Sequence, residues 1–191
     1  MSDTTVLRLA GVSGLLFLVL FIPSYLTPPD APVAASTPQQ VFEYFNGRQG
    51  EILLLNGVFL IFASFCFIVF MGVLHHAAQK AEADGLGFSS IVLGGGLMFV
   101  SLMLVGAAAE IVHSATQARF QNFRVDAQLG FLSLAMSGWL YRFAFVGMSA
   151  MIAATSMTGL RTGLLPAWLA WLGFAAAVFA LLRYFGPLGG W

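Results

Sequence analysis

Charge is scarce in this chain. Of its 191 residues 8% are charged, eight Lys or Arg against eight Asp or Glu, whereas an ordinary soluble domain is about a quarter charged. So little polar surface cannot coat a water-soluble globule. No basic block occurs, which excludes the footprint that nucleic acid requires and the polybasic run that marks a lipid-surface tether. Cysteine is equally sparse: Cys66 alone, inside an apolar run, excludes an intrachain disulfide and a thiolate metal cluster, and reads as a small buried apolar residue.

What is present is hydrophobic, 59% of the residues, gathered into runs of about 20 or more, each long enough to cross roughly 30 Å of hydrocarbon. The runs read as five spans: Val6 to Leu26, Ile52 to Ala78, Phe88 to Ser114, Leu129 to Met157, and Pro166 to about Phe185. The fold class is therefore all-α, a polytopic membrane helix bundle forming a single membrane domain over residues 1–191. The first run resembles a signal peptide but is long and lacks a clean Ala-x-Ala site, so it reads as retained. His75 and His76 mark the exit of the second span, Thr158 to Gly163 a tight turn, and Trp168 and Trp171 an interface. Arg183, Tyr184 and Trp191 mark the far end, with Arg183 placed to snorkel. Small residues at Gly94, Gly95, Gly96, Gly106, Ala107, Ala150 and Ala154 predict close helix contacts, and Met98, Met103, Met136, Met148 and Met151 predict packing.

Between the first two spans, residues 27–50 turn polar and carry Pro28, Pro29, Pro32 and Pro38, which forbid one continuous helix. Thr37-Pro38-Gln39-Gln40 is a helix start, with Thr37 as cap and Gln40 closing a capping box. Val41, Phe42 and Phe45 fall on one side of that short outer helix. The expectation is an interfacial helix with its aromatic face on the bilayer; an aromatic lid over a lateral opening is the alternative.

The polar residues inside the spans carry any function. Glu110 stands inside an otherwise uncharged run, where a carboxylate costs a few kcal/mol unless it faces the protein and finds a partner. Arg142, inside the fourth run, is the predicted partner, with Asn56 or Tyr141 completing the hydrogen bonds. Glu110 and His113 are three residues apart and share one helix side, at the face where Glu51 enters the second span. Glu51, Asn56, Glu110 and His113 thus form a possible ligand site, and Glu51, Glu110 and His113 a possible mononuclear metal site. A dinuclear carboxylate site needs a second Glu-x-x-His unit, which is missing. His75 and His76 leave the membrane at the opposite face and cannot join that set.

The phrase Leu164-Leu165-Pro166-Ala167-Trp168-Leu169-Ala170-Trp171-Leu172-Gly173 resembles the last span of a bacterial multi-pass membrane family, domain of unknown function 4386. The first span and the long loop after it are similar to that family more loosely. The resemblance implies a bacterial plasma-membrane protein and brings no catalytic residues with it. Basic residues tie between the two sides, so the short loops inside and the proline-rich loop outside decide orientation, with the N-terminus cytoplasmic. The function expected is that of a non-enzymatic accessory or interaction subunit, or a lipid-contacting module, with membrane lipids and other membrane subunits as partners and no cofactor. The alternatives are a small transporter or ligand-binding protein with an outer polar cavity, and a membrane metal enzyme built on the Glu/His set.

Overall fold

The computed structural model describes residues 3–25, 32, 36–82, 87–120, 122 and 126–182. Arg124, Pro28, Pro29, Arg183, Tyr184 and Trp191 lie outside the described residues. All regular structure among the described residues is helical: α1 Asp3–Tyr25, α2 Pro38–Gly47, α3 Gln49–Ile52, a π-helical segment Leu53–Phe59, α4 Leu60–Ala81, α5 Phe88–Arg119, α6 Ala127–Thr162 and α7 Ala167–Leu182. Three helices are long and apolar enough to cross a membrane: Gln49–Ala81 with 33 residues, Phe88–Arg119 with 32 and Ala127–Thr162 with 36. The first and fifth expected spans appear as shorter apolar helices, Arg8–Ser24 and Ala167–Leu182.

Local chemistry explains most of the boundaries. The capping box forms as read, with the Thr37 hydroxyl accepting from Gln40 N at 3.3 Å and Gln40 Oε1 accepting from Thr37 N at 2.7 Å. Asp126 caps α6 through Gln128 N at 2.8 Å. The predicted turn at Thr158 to Gly163 shortens, because α6 runs on to Thr162 and stops only at Gly163, whose φ of +71° suits glycine. The start of α5 is capped by an unforeseen group: Glu82 accepts from Ser89 N at 3.0 Å and from the Ser89 hydroxyl at 2.9 Å. A carboxylate there satisfies orphan amides and meets the positive helix end. At the same end His75 Nδ1 donates to Ser89 O at 2.9 Å, while His76 is exposed.

The core lies between α1, α4, α5 and α6. Phe17, Phe67 and Phe99 meet edge to face or tilted, with ring centroids 5.0 to 6.4 Å apart. Helices α5 and α6 cross so tightly that a Cβ on Gly95 would come within 2.6 Å of Gly147 O, and one on Gly147 within 2.6 Å of Gly95 O. Only glycine at both positions permits that approach, the small-residue contact expected of membrane helices. Large apolar side chains such as Val19, Phe65, Trp168 and Phe179 point outward, each about two-thirds exposed or more. A core partly completed by lipid explains such a surface.

Candidate functional site

The site lies at the end of the bundle where α2 sits, and a polar stripe on α5 organises it. Glu110, His113, Ser114 and Gln117 recur at the i, i+3, i+4, i+7 spacing that puts them on one helix face. That face is turned inward: Glu110, His113 and Ser114 are all buried.

Glu110 is held by two phenols from different helices. Tyr141 on α6 donates to Oε2 at 3.1 Å and Tyr44 on α2 donates to Oε1 at 3.4 Å. Asn56 stands on the same carboxylate's polar side. Burial, and then the neighbouring Glu110 carboxylate, push the Tyr44 phenol well above its ordinary pKa and so keep it a donor. The predicted ion pair with Arg142 gives way to these phenols. Consecutive residues point about 100° apart on a helix, so with Tyr141 aimed at α5 the next side chain turns away. The Arg142 guanidinium stands over the Trp139 ring at 4.8 Å, on the side of α6 where Ala180 and Leu181 of α7 approach.

Asn56 reaches Glu110 from the middle of the π-helical segment. There the Leu60 amide bonds back to Leu55 O, five residues earlier, and the Ser24 hydroxyl of α1 approaches the same carbonyl at 2.9 Å. A π-bulge widens one turn and rotates the residues within it, which is why such segments recur where a side chain must be re-aimed.

One turn further along α5, His113 packs edge-on against Phe45 at 5.1 Å and its Nε2 donates to the Ser133 hydroxyl at 3.0 Å, which in turn donates to Gly130 O. Gln49 Nε2 donates to Ser114 O at 2.8 Å, and at the exposed rim Gln117 Nε2 donates to Asn46 Oδ1 at 2.6 Å. The Ser114 hydroxyl and Gln117 Oε1 are buried and have no hydrogen-bond partner among the described residues.

Two expectations change here. The outer helix does not rest its apolar face on the bilayer: Val41 and Phe45 are fully buried, pressed onto α6 where a Cβ on Gly130 would meet them at 2.8 and 3.2 Å, while Phe42 is half-buried. The glycine opens a seat, and burying that face against the protein removes more apolar area from water than an interface would. The Glu51, Glu110 and His113 triad also disperses. Glu51 is half exposed and pairs with Arg48 at 3.7 Å, the i+3 neighbour on its own chain segment, while Glu110 and His113 turn to tyrosine and serine. Among the described residues no three His, Cys, Asp or Glu stand close enough to hold a metal.

Asn56, Glu110 and His113 are thus brought to one region, and Glu51 and Arg142 are directed elsewhere. Tyr44, Ser133, Gln49, Gln117 and Asn46 escaped the sequence reading. The signal for Tyr44 was its place between Val41 and Phe45 on the same helix side; the stripe spacing on α5 pointed to Gln117. No family model, curated protein or solved structure matches this chain.

Proposed function

We propose that this chain is a non-enzymatic five-span module of a bacterial plasma membrane, an accessory or interaction subunit in contact with lipid, with a cytoplasmic N-terminus. The bacterial setting and the plasma membrane rest on the resemblance of Leu164 to Gly173 to domain of unknown function 4386. The observation that carries the functional reading is the closure of two phenols on Glu110. Each Glu110 oxygen takes a phenol, one from α2 and one from α6, so the carboxylate ties α2, α5 and α6 together. Hydrogen bonds of this kind fix how helices sit against each other when lipid offers no hydrophobic drive to separate or join them.

The test is the assembly state. An accessory subunit isolated from its own membranes in mild detergent migrates with a second membrane protein in fixed stoichiometry, and a harsher detergent releases it. Migration as a lone chain under both conditions contradicts the reading.

A second reading, a small transporter or ligand-binding protein, is favoured by one observation, the buried Ser114 hydroxyl and Gln117 Oε1 without partners among the described residues. Solute or proton uptake into proteoliposomes that disappears in Glu110→Gln would support it over the first.

A further inference from the structure

Arg142 and Arg161 stand nineteen residues apart on α6, with no charged side chain between them. That interval is about 28 Å of helix, close to the roughly 30 Å of a bilayer's hydrocarbon core. Each guanidinium lies over an aromatic ring, Arg142 over Trp139 at 4.8 Å and Arg161 over Phe88 at 5.4 Å. Arginine on an aromatic ring is the side-chain chemistry of a membrane boundary, where an apolar body stays in hydrocarbon and the charge reaches the headgroups. On α7 the exposed Trp168 and Trp171 lie toward the Arg161 end, while Ala180 and Leu181 come up beside Arg142. This spacing places Arg142 at the edge of the hydrocarbon instead of its middle.

Beside it, α6 and α7 enclose a groove of about 100 Å³, lined on α6 by Trp139, Arg142, Phe143 and Val146 and on α7 by Ala180 and Leu181. Among the described residues its wall is almost wholly apolar and its charge is the guanidinium. Trp139, Phe143 and Val146 are 51%, 50% and 42% exposed, so the groove opens to the surroundings of the bundle.

We infer that this groove seats one anionic phospholipid of the surrounding bilayer, its phosphate on the Arg142 guanidinium beside Trp139 and an acyl chain lying along Phe143, Val146 and Leu181. The planar guanidinium fork matches phosphate oxygens and keeps donors for more than one acceptor, so the site does not require Arg142 to give up its other contacts. The apolar wall takes the chain, and a cation at the level of the headgroups selects a lipid with net negative charge over a zwitterionic one. The inference rests on the membrane reading above.

The experiment is native mass spectrometry of the full chain released from detergent micelles, titrated with phosphatidylglycerol or with phosphatidylcholine of the same acyl chains. The wild type is expected to hold one phosphatidylglycerol about tenfold more tightly than phosphatidylcholine, which corresponds to one well-made charged contact. Arg142→Gln is expected to abolish the preference, and Ala180→Phe, which fills the groove and keeps the charge, to weaken phosphatidylglycerol at least as much. Should Arg142→Gln fail to fold, Ala180→Phe decides alone. Equal affinity for the two lipids, a preference that survives in the folded variants, or a second copy of the chain displaced by Ala180→Phe would overturn the inference. A chain stripped from membranes by alkaline carbonate would overturn the membrane reading itself; a chain that stays in them without lipid preference sinks the lipid site alone.

Discussion

Tyr141 reaches Glu110 by lying across Gly106. The ring rests where a Cβ on Gly106 would come within 2.6 Å of it, and the hydroxyl donates to the carboxylate one turn further along α5. A glycine and an acid four residues apart on one helix thus hold a tyrosine from the next helix by its ring and by its tip. Gly106→Ala must push the ring aside, so it is expected to destabilise the protein in detergent by about 1–3 kcal/mol, the usual cost of overpacking. Much of that cost should vanish when Tyr141 is already Ala, since the obstruction is gone. Thermal unfolding of the two single variants and the double variant checks this.

Glu110 is expected to tolerate Gln better than Ala. The amide keeps one acceptor oxygen, so one of the two phenols stays satisfied and the loss is about 1 kcal/mol. Alanine leaves the buried Tyr44 and the half-buried Tyr141 and Asn56 around an empty place, and the expected loss rises to about 2–4 kcal/mol. Denaturation in mixed micelles, with helix content followed by circular dichroism, gives the order; a Gln variant as damaged as Ala would show that the charge matters more than the acceptors.

The raised Tyr44 pKa sets an alkaline limit. Below the ordinary tyrosine pKa of about 10 both folded and unfolded chains keep the phenol proton, and stability does not depend on it. Above that, the unfolded chain releases the proton while the folded chain retains it, so stability falls as pH rises. Burial and Glu110 drive the shift, with Arg48 opposing it and Glu51 adding a little. Tyr44→Phe is expected to flatten the fall in melting temperature between pH 10 and 12 by about the share of one proton, while lowering stability at neutral pH by about 1 kcal/mol. Superimposable alkaline limbs in the two proteins would rule this out.

The α5–α6 crossing predicts a sharp contrast between adjacent glycines. Gly95→Ala and Gly147→Ala each drive a methyl group into the facing backbone and are expected to cost about 2–3 kcal/mol. Gly94→Ala, one residue away, meets nothing within 4 Å and is expected to be neutral or to stabilise by up to about 1 kcal/mol through helix propensity. Melting temperatures of the three variants measured side by side decide it.

The sequence made the long helices and the capping box of α2 legible because both are written in local pattern: apolar runs for the first, Thr37 and Gln40 three residues apart for the second. Glu110 was legible too, since a lone acid in an apolar run demands a partner. Its partner was not. Tyr141 and Arg142 are neighbours in sequence, and which of them faces α5 depends on a helix rotation that the evenly apolar surface of α6 does not encode. Charge pointed to the arginine, whereas the space over Gly106 selected the tyrosine. The π-helical turn at Leu53–Phe59 has no sequence period of its own, so the re-aiming of Asn56 could not be foreseen. Likewise Val41 and Phe45 announce an apolar face, but only the seat at Gly130 tells whether that face meets lipid or protein.

A double-mutant cycle on Glu110 bears most directly on the grip that ties α2 and α6 to α5. Glu110→Gln is combined with Tyr141→Phe, and in parallel with Arg142→Gln, and unfolding free energies are measured for each single and double variant. A coupling of about 1–2 kcal/mol with Tyr141 and near zero with Arg142 is the predicted outcome. Coupling to Arg142 with none to Tyr141 would contradict it.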